Sequence, residues 1–415
     1  MSTHDPRQVI ENLRDHLATH DRTLSFLFGA GTSSSVNIAP TALPGQKPTH
    51  QPLIPGIEGL TEICYRAVCC IGENQTDAWG KLVCQCEQDS CPANVEDLLS
   101  KVRMKIDAIG DGETLVGLDK ASLISIERTV CAAIAKTVNP SEDMIPTDMP
   151  HDSFASWVKS INRTTPVEIF TTNYDILFER AFEAARVPVF DGFVGTHRPF
   201  FYSECLEDEE LLPKSKWVRL WKIHGSVNWL LENGTGKGRI IRSSPADTGE
   251  LILPSHRKYD ESRKQPYIAY IDRLSRILNA EHALLITCGY SFGDEHINAV
   301  LYGALDNRPT ANIIALQFQE LKEKDDLVRE ALRRPNLSVV GPNAAVISAN
   351  WGHWQLTQPV DRKTCAFMDM GFDSNAMPED GGSPANRTDD LTGKMRLGDF
   401  NWFCRFLKAM GGAFG

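Results

Sequence analysis

Val167-Glu168-Ile169-Phe170-Thr171-Thr172-Asn173-Tyr174-Asp175 is the stretch that decides how this chain folds. β-Branched and aromatic residues dominate its first four positions, which predicts a short buried strand. Apolar residues then recur at helical spacing, so we expect a helix from about Ile176 to Ala185 with Asp175 as its N-cap. The polar turn between them lies at the carboxyl end of a strand, where open α/β sheets bind ligands. Capping alone would also explain Asn173 and Asp175.

Three further strands end in polar turns. Leu24–Phe28 runs into Gly29-Ala30-Gly31-Thr32-Ser33, Trp217–Ile223 into His224-Gly225, and Ala283–Cys288 into Gly289-Tyr290-Ser291-Phe292-Gly293-Asp294. Asp294 is expected to cap the helix after the last of these turns. A fourth apolar strand is predicted at Asn312–Leu316, and Leu337–Val340 is predicted as an edge strand. Alternating strands and helices indicate an α/β fold with a doubly wound parallel sheet, whose four turns meet at one crevice.

The turn at Gly29–Ser33 has the composition of a phosphate-binding loop. Two glycines let the backbone approach a diphosphate, and Thr32 and Ser33 can donate to its oxygens. The dinucleotide fingerprint of dehydrogenases is incomplete, because the third glycine is missing and residues 49–52 offer no acid for a ribose. A plain tight turn remains the alternative. His224 is well placed for acid–base chemistry, although a lone histidine is more often structural.

The chain divides into four predicted segments. Residues 1–59 hold an amphipathic helix predicted at 7–20, the first sheet strand, the Gly turn and a Pro-rich loop at 36–56 that we predict to be a lid. Residues 60–153 form an inserted helical module, and 154–350 complete the nucleotide-binding domain. Residues 351–415 form a tail that closes with an amphipathic helix.

Loops and the closing helix within these segments are also predicted. The tail is predicted to contain a disordered loop at 369–393. Residues 232–248 are predicted to be mobile, and the acidic run Glu204–Glu210 to be a solvated loop. The closing helix has apolar residues at Phe400, Phe403, Leu407 and Met410, and either the domain or a partner would cover them.

Charge and cysteine content bound the possible functions. The 415 residues carry 43 Lys and Arg against 54 Asp and Glu, a formal charge of −11, which argues against autonomous nucleic-acid binding. No leader peptide is visible, and no apolar run approaches the ~18 residues of a membrane span. With an odd count of eleven cysteines, we expect a reduced cytoplasmic protein.

Six of the cysteines are clustered between Cys64 and Cys91. A zinc site could use Cys84, Cys86, Cys91 and one of Cys69 or Cys70. No C-x-x-C pair is present, however, and this spacing matches zinc sites poorly. We therefore predict ordinary reduced thiols and no bound metal.

The four turns, taken together and in this order, resemble the NAD-binding motifs of sirtuins, in the variant found in bacterial anti-phage proteins. The motifs are Gly29–Ser33, Thr171–Asp175, Lys222-Ile223-His224-Gly225 and Gly289–Asp294, and the resemblance spans roughly residues 20–350. The chain length and the closing helix look most like the sirtuin-like subunit that works beside a HerA-type ATPase. The resemblance implies that this chain forms a homo-oligomer bound to that ATPase. The assembly would be switched on during phage infection and would deplete NAD+.

Departures from the deacetylase pattern narrow the implied activity. Sirtuin deacetylases carry two zinc cysteine pairs after the catalytic histidine, whereas residues 225–287 contain no cysteine. The Asn-Ile-Asp of deacetylases reads Asn173-Tyr174-Asp175, and the Pro-Asp-Phe-Arg after the Gly loop is absent. These departures concern acyl-lysine peptide binding rather than NAD+ binding, so the resemblance implies NAD+ hydrolysis. A deacylase or ADP-ribosyltransferase, and a non-catalytic nucleotide sensor, stay open as alternatives.

The resemblance also implies roles for individual residues. Asn173 and His224 are the catalytic candidates: the first would place water or the nicotinamide ribose, and the second would bind ribose hydroxyls and accept a proton. Residues in the matching motifs would hold NAD+, namely Gly29, Ala30, Gly31, Thr32, Ser33, Thr172, Asp175, Gly289, Tyr290 and Ser291.

Overall fold

The computed structural model describes residues 2–39, 49–89, 93–232, 239–244, 265–358, 366–374 and 392–410. The α-helices are α1 Pro6–Ala18, α2 Ala30–Ser34, α3 Ile57–Cys69, α4 Glu73–Gln88, α5 Val95–Ala108, α6 Lys120–Val138, α7 Pro150–Ser160, α8 Leu177–Ala184, α9 Glu204–Glu207, α10 Tyr267–Leu278, α11 Glu295–Asn307, α12 Asp326–Arg333, α13 Ala366–Gly371 and α14 Phe400–Met410. The strands are β1 Thr3–His4, β2 Leu24–Phe28, β3 Val167–Thr171, β4 Val189–Phe190, β5 Phe193–Val194, β6 Phe200–Phe201, β7 Val218–Lys222, β8 Trp229–Glu232, β9 Arg239–Arg242, β10 Leu284–Cys288, β11 Asn312–Leu316, β12 Leu337–Val340, β13 Ala344–Ile347, β14 Asn350–Trp354, β15 Phe372–Asp373 and β16 Lys394–Met395.

A ten-stranded sheet organises the molecule, in the order β1-β14-β13-β12-β11-β10-β2-β3-β7-β4. The strands from β12 to β4 are parallel, as the doubly wound prediction requires. Every residue of β2, β3, β7 and β10 is buried, because helices cover both faces of the sheet. The chain runs from β2 towards β3 on one side, and from β10 towards β11 on the other. The strand order therefore reverses between β2 and β10, and their carboxyl ends mark the ligand-binding position of such sheets.

The predicted edge strand at Leu337–Val340 is wrong in its position. It forms β12, which pairs with β11 on one side and with β13 on the other. The hairpin of β13 and β14 extends the sheet beyond it, and β1 pairs in parallel with β14 at the edge.

Two apolar cores cover the two faces of the sheet, and a third lies within the helices that follow β2. On one face Phe26 and Phe28 of β2 pack against Phe154 of α7 and Phe400 of α14. The opposite face is filled largely from α10, α11 and α12. Helices α3 to α6 bury their own core, which is continuous with Tyr174 and Leu177 beside the sheet. The helical segment is thus packed directly against the loop after β3, while its boundary at residue 60 stays a prediction.

Helix α14 packs inside the chain. Phe400, Phe403 and Leu407 are 2% exposed or less, and Met410 packs against the same core. Of the two uses predicted for this apolar face, the structure takes the intramolecular one.

A second, smaller sheet of short strands was not predicted from the sequence. β5, β6, β9 and β8 form a separate four-stranded sheet, and β9 lies in the segment predicted to be mobile. Part of the predicted disordered loop 369–393 is structured in α13 and β15, and its residues 375–391 lie outside the described residues. The same holds for residues 40–48 of the predicted lid and for 233–238 and 245–248 of the predicted mobile segment.

The acidic run Glu204–Glu210 is not a solvated loop throughout. It begins with α9, and Glu209 accepts hydrogen bonds from the buried side chains of Arg219 and Arg273. Both arginines also bind Glu168 on β3, through Nη1 at 2.7 Å and Nη2 at 2.5 Å respectively. Three buried charged groups thereby tie β3, β7 and α10 together, with Glu209 closing the network.

Candidate active site

The loops after β2 and β10 are packed backbone against backbone. Gly31 N donates to Gly289 O at 3.0 Å, and Gly29 N donates to Cys288 O at 3.3 Å. A Cβ added at Gly29 would lie 2.5 Å from Gly289 O, and one at Gly31 would lie 2.6 Å from Gly289 Cα. Gly289 itself has a φ of +66°, a conformation that favours glycine. These glycines are therefore required by the contact between the two loops.

The sequence predicted that these glycines let a diphosphate approach the backbone. In the structure they are required by the packing of the two loops instead. Thr32 and Ser33, predicted to donate to phosphate oxygens, are buried and use their hydroxyls internally. Thr32 Oγ1 donates to Gly29 O at 2.9 Å, and Ser33 Oγ donates to Asp175 Oδ2 at 2.6 Å. Ala30 is exposed and begins α2.

Asn173 lies at the end of β3 with its carboxamide held in one orientation. Its Nδ2 is 2.9 Å from Thr32 Oγ1 and 2.7 Å from Ser33 Oγ. Since both hydroxyls already donate elsewhere, they can only accept here, and the group facing them must be the NH₂. Asn173 Oδ1 is then buried without a hydrogen-bond partner among the described residues. A buried acceptor of this kind is costly unless a ligand or water supplies a donor.

Asp175 joins the same cluster and is almost fully buried. Oδ2 accepts from Ser33, and Oδ1 accepts from the backbone N–H of Leu177 at 3.0 Å. The N-cap of α8 is Ile176 rather than Asp175, although Asp175 does satisfy a backbone donor of the first turn. Both carboxylate oxygens of Asp175 therefore organise the loop that carries Asn173.

His224 follows β7 and is oriented by Asp294, the N-cap of α11. His224 Nε2 lies 2.9 Å from Asp294 Oδ2, while Asp294 Oδ1 accepts from Ile297 N at 3.0 Å. A neutral His224 must carry its proton on Nε2 to donate to this carboxylate, which leaves the lone pair on Nδ1. Asp294 was predicted only as a helix cap, and it also fixes the tautomer of the candidate base.

The electrostatics of this pair favour a charged His224. Burial lowers the pKa of His224, but the hydrogen bond to Asp294 and the charges of Glu96 and Asp294 outweigh it, so the pKa lies above 6.5. Burial likewise raises the pKa of Asp294, and the hydrogen bond and charge of His224 overcome it and hold the value at about 2.

Two residues to which the sequence assigned no role, Lys222 and Glu96, complete the surroundings of the loop. Lys222 Nζ, buried two positions before His224, donates to Asp175 O and to Glu179 Oε1 at 2.9 Å, and so ties β7 to the loop after β3. Glu96 of α5 accepts a hydrogen bond from Tyr174 Oη at 2.7 Å and lies 3.9 Å from His224 Nδ1. Lys222 was visible within its motif, whereas no local pattern marks Glu96.

The remaining candidates differ in exposure. Thr172 is half-buried, and its N–H donates to Phe28 O at 3.1 Å. Tyr290 is buried, with its hydroxyl 3.0 Å from Asn298 Oδ1. Ser291 is exposed in the loop after β10. The structure thus brings the residues of the β2, β3 and β10 turns into contact, and places His224 against the β10 turn through Asp294.

The cysteine cluster lies in the helical segment. Cys64 and Cys86 are buried, Cys69, Cys70 and Cys84 are exposed, and Cys91 is outside the described residues. Within the described ranges no three His, Cys, Asp or Glu side chains are grouped as a metal site would require. No described helix has the length and apolar character needed to cross a bilayer.

Comparison with protein families adds one finding. A family model described as SIR2-like domain matches residues 167–340, which run from β3 to β12 and include Asn173, His224 and Asp294. The match supports a sirtuin-like protein with an NAD-related activity, since SIR2-like domains use NAD+. It does not extend to the Gly29–Ser33 turn. The search of curated proteins returned no significant match.

Proposed function

We propose that this chain hydrolyses the bond between nicotinamide and ribose in NAD+, releasing nicotinamide and ADP-ribose. The observation that carries the proposal is Asn173 Oδ1, a buried acceptor without a partner in the described structure. Asn173 lies against the β2 turn, beside the point where the strand order reverses between β2 and β10. A ribose hydroxyl or a water molecule would supply the donor that this oxygen lacks. The SIR2-like match covers the same residue.

The chemistry requires little acid catalysis. NAD+ and water give nicotinamide, ADP-ribose and one proton, and nicotinamide leaves as a neutral molecule. The protein must therefore hold the substrate, support positive charge developing on the ribose and orient water. Asn173 Oδ1 is the acceptor that orients a hydroxyl or water, and His224 Nδ1 is the site that takes the released proton.

The activity should depend on pH through His224. His224 accepts a proton only when it is neutral, and its pKa is raised above 6.5. The rate should therefore increase as the pH rises through that pKa, and the acid limb of the profile should belong to His224.

Incubation with NAD+ tests the proposal. Nicotinamide release without acyl-peptide or acceptor is the expected result, and Asn173→Ala and His224→Ala should lower the rate by about 10²–10⁴. Asn307→Ala and His197→Ala, which change exposed side chains, serve as matched controls that should keep the wild-type rate. Release only with an acylated peptide or acceptor would instead indicate a deacylase or ADP-ribosyltransferase. Binding without turnover in any assembly would indicate a nucleotide sensor.

We further propose that the activity serves anti-phage defence in the cytoplasm by depleting NAD+. The support is the resemblance of the four motifs to sirtuin-like anti-phage proteins. An enzyme that destroyed NAD+ freely would kill its own cell, so we propose that assembly into a homo-oligomer with a HerA-type ATPase gates it. Since α14 buries its apolar face inside the chain, the interface must use another surface.

The mass and activity of the protein test this assembly. The chain is purified alone and after co-expression with a HerA-type ATPase, and size-exclusion chromatography with mass measurement is followed by the NAD+ assay. A mixed oligomer with higher activity is expected. A monomer that is equally active with and without the ATPase would contradict the gating and leave the hydrolase assignment standing.

A further inference from the structure

We propose that Glu96, supplied by helix α5, is a positioning residue that acts on the Nδ1 side of His224. The helices between β2 and β3 would then contribute directly to the candidate active site. The inference deepens the proposed NAD+ hydrolysis and rests on it for its kinetic test. A second test, by titration of His224, is independent of any activity.

Glu96 is held in place from two directions. Its backbone N–H donates to Asn94 Oδ1 at 2.9 Å, in the N-terminal cap of α5. The preceding residue, Val95, donates its N–H to Thr61 Oγ1 at 2.9 Å, which pins the start of α5 to α3. The position of the Glu96 backbone is therefore set by the packing of the helices.

The carboxylate is fixed by Tyr174, the residue after Asn173. Tyr174 Oη donates to Glu96 Oε1 at 2.7 Å. Burial raises the pKa of Tyr174 well above 10, and the charge of Glu96 adds to this effect, so the hydroxyl keeps its proton and remains a donor. The Asn173 loop and helix α5 are thereby joined through one hydrogen bond.

The same oxygen faces His224. Glu96 Oε1 is 3.9 Å from Nδ1, which exceeds a hydrogen bond but leaves an electrostatic interaction, weakened by solvent because the Glu96 side chain is 43% exposed. Nδ1 is the nitrogen left to accept a proton, because Nε2 is engaged with Asp294. The groups that face the imidazole are thus Asp294 on one side and Glu96 with Tyr174 on the other. Glu96 favours the protonated imidazolium by its charge alone, whereas Asp294 selects the tautomer and also raises the pKa of His224 through its hydrogen bond and charge.

A direct measurement is the NMR titration of the His224 ring in the full-length protein, with His224→Gln used to assign its signal. Glu96→Gln keeps the size of the side chain and the hydrogen bond from Tyr174 while removing the charge. Its His224 midpoint should move to lower pH. Glu87→Gln, which neutralises an exposed carboxylate on α4, should leave the midpoint unchanged. An unchanged midpoint in Glu96→Gln would overturn the proposal.

Kinetics provide the second readout. The acid limb of kcat/KM should move to lower pH in Glu96→Gln, and Glu96→Asp should restore part of the shift. If Tyr174 acts on the histidine through Glu96, then Tyr174→Phe should add no further shift to the Glu96→Gln profile. If kcat/KM falls by the same factor at every pH and the acid limb does not move, Glu96 has a merely structural role and the proposal is refuted.

The two experiments separate the possible failures. If the wild-type protein releases no nicotinamide under any condition, the hydrolase proposal fails, and the NMR midpoint still decides the role of Glu96. If Glu96→Gln unfolds, the His224 midpoint in Glu96→Asp decides the role of Glu96. The shorter side chain moves the charge away from Nδ1, so this midpoint should lie below that of the wild type.

Discussion

His151 should make this protein sensitive to mild acid. The residue lies in α7 with its side chain fully buried, and both ring nitrogens are without hydrogen-bond partners in the described structure. Its ring packs 4.6 Å from that of Phe178 and 5.2 Å from that of Phe400, between centroids. Burial lowers the pKa of His151 from 6.5 to about 4, against a smaller opposing effect of the Asp175 charge.

The sign and size of the effect follow from proton linkage. The unfolded chain binds a proton at His151 as the pH falls below 6.5, whereas the folded chain does so only near 4. The stability contributed by this neutral histidine is therefore complete above pH 6.5, is lost progressively as the pH falls from 6.5 to about 4, and changes little below that. At about 1.4 kcal/mol for each pH unit, the loss is about 3 kcal/mol.

Urea unfolding of the wild type and of His151→Leu, at a series of pH values from 7 to 4, measures this loss. Leucine fills the site without a titrating group, so the variant should lose about 3 kcal/mol less than the wild type over this range. Other acid-sensitive groups are common to both proteins and cancel in the difference. The exposed His197→Leu serves as the control and should follow the wild type. Parallel curves for His151→Leu and the wild type would refute the reasoning.

Three further outcomes are expected. Asp294→Asn removes the carboxylate from Nε2 and should lower kcat by about 10²–10⁴ while moving the acid limb of the profile to lower pH; an unchanged profile would exclude Asp294 from setting the state of His224. Glu168→Gln should reduce the free energy of unfolding by about 3–5 kcal/mol in urea denaturation, because it leaves Arg219 and Arg273 buried with less compensating charge; a cost under about 1 kcal/mol would contradict this. Chelation with EDTA should leave nicotinamide release unchanged, and stoichiometric zinc by elemental analysis together with loss of activity would show that a metal is needed.

The sheet could be predicted because its strands are buried on both faces. β2 and β10 appear in the sequence as mostly apolar runs, and β3 and β7 as apolar, mainly β-branched and aromatic residues around Glu168 and Arg219; each strand is followed by a polar turn. Parallel strands that share this pattern place their turns at one edge, so the contact of Asn173 with the Gly29–Ser33 turn followed from the topology.

Other features depend on contacts that leave no local pattern. β5 and β6 have two residues each, too few to show an alternation. Glu209 resembles its solvated neighbours, and only the fold places it beside Arg273. Glu96 and His224 are 128 positions apart in the sequence, and only the packing of the helices against the sheet brings them together. The glycines of the β2 turn were found correctly, but their packing against Gly289 requires knowledge of which loop lies opposite.

The position of α14 has a consequence for biosynthesis. β2 leaves the ribosome early, yet Phe26 and Phe28 on one of its faces are covered by residues of α14, near the other end of the described chain. Part of the aromatic surface of the central strand therefore stays uncovered until translation has passed Met410, which favours transient association with chaperones during that interval. A ribosome that stalls or stops before residue 400 would release a polypeptide in which Phe26 and Phe28 keep their contacts with α7 and α8 but lack those with α14, and quality-control proteases would be expected to remove it.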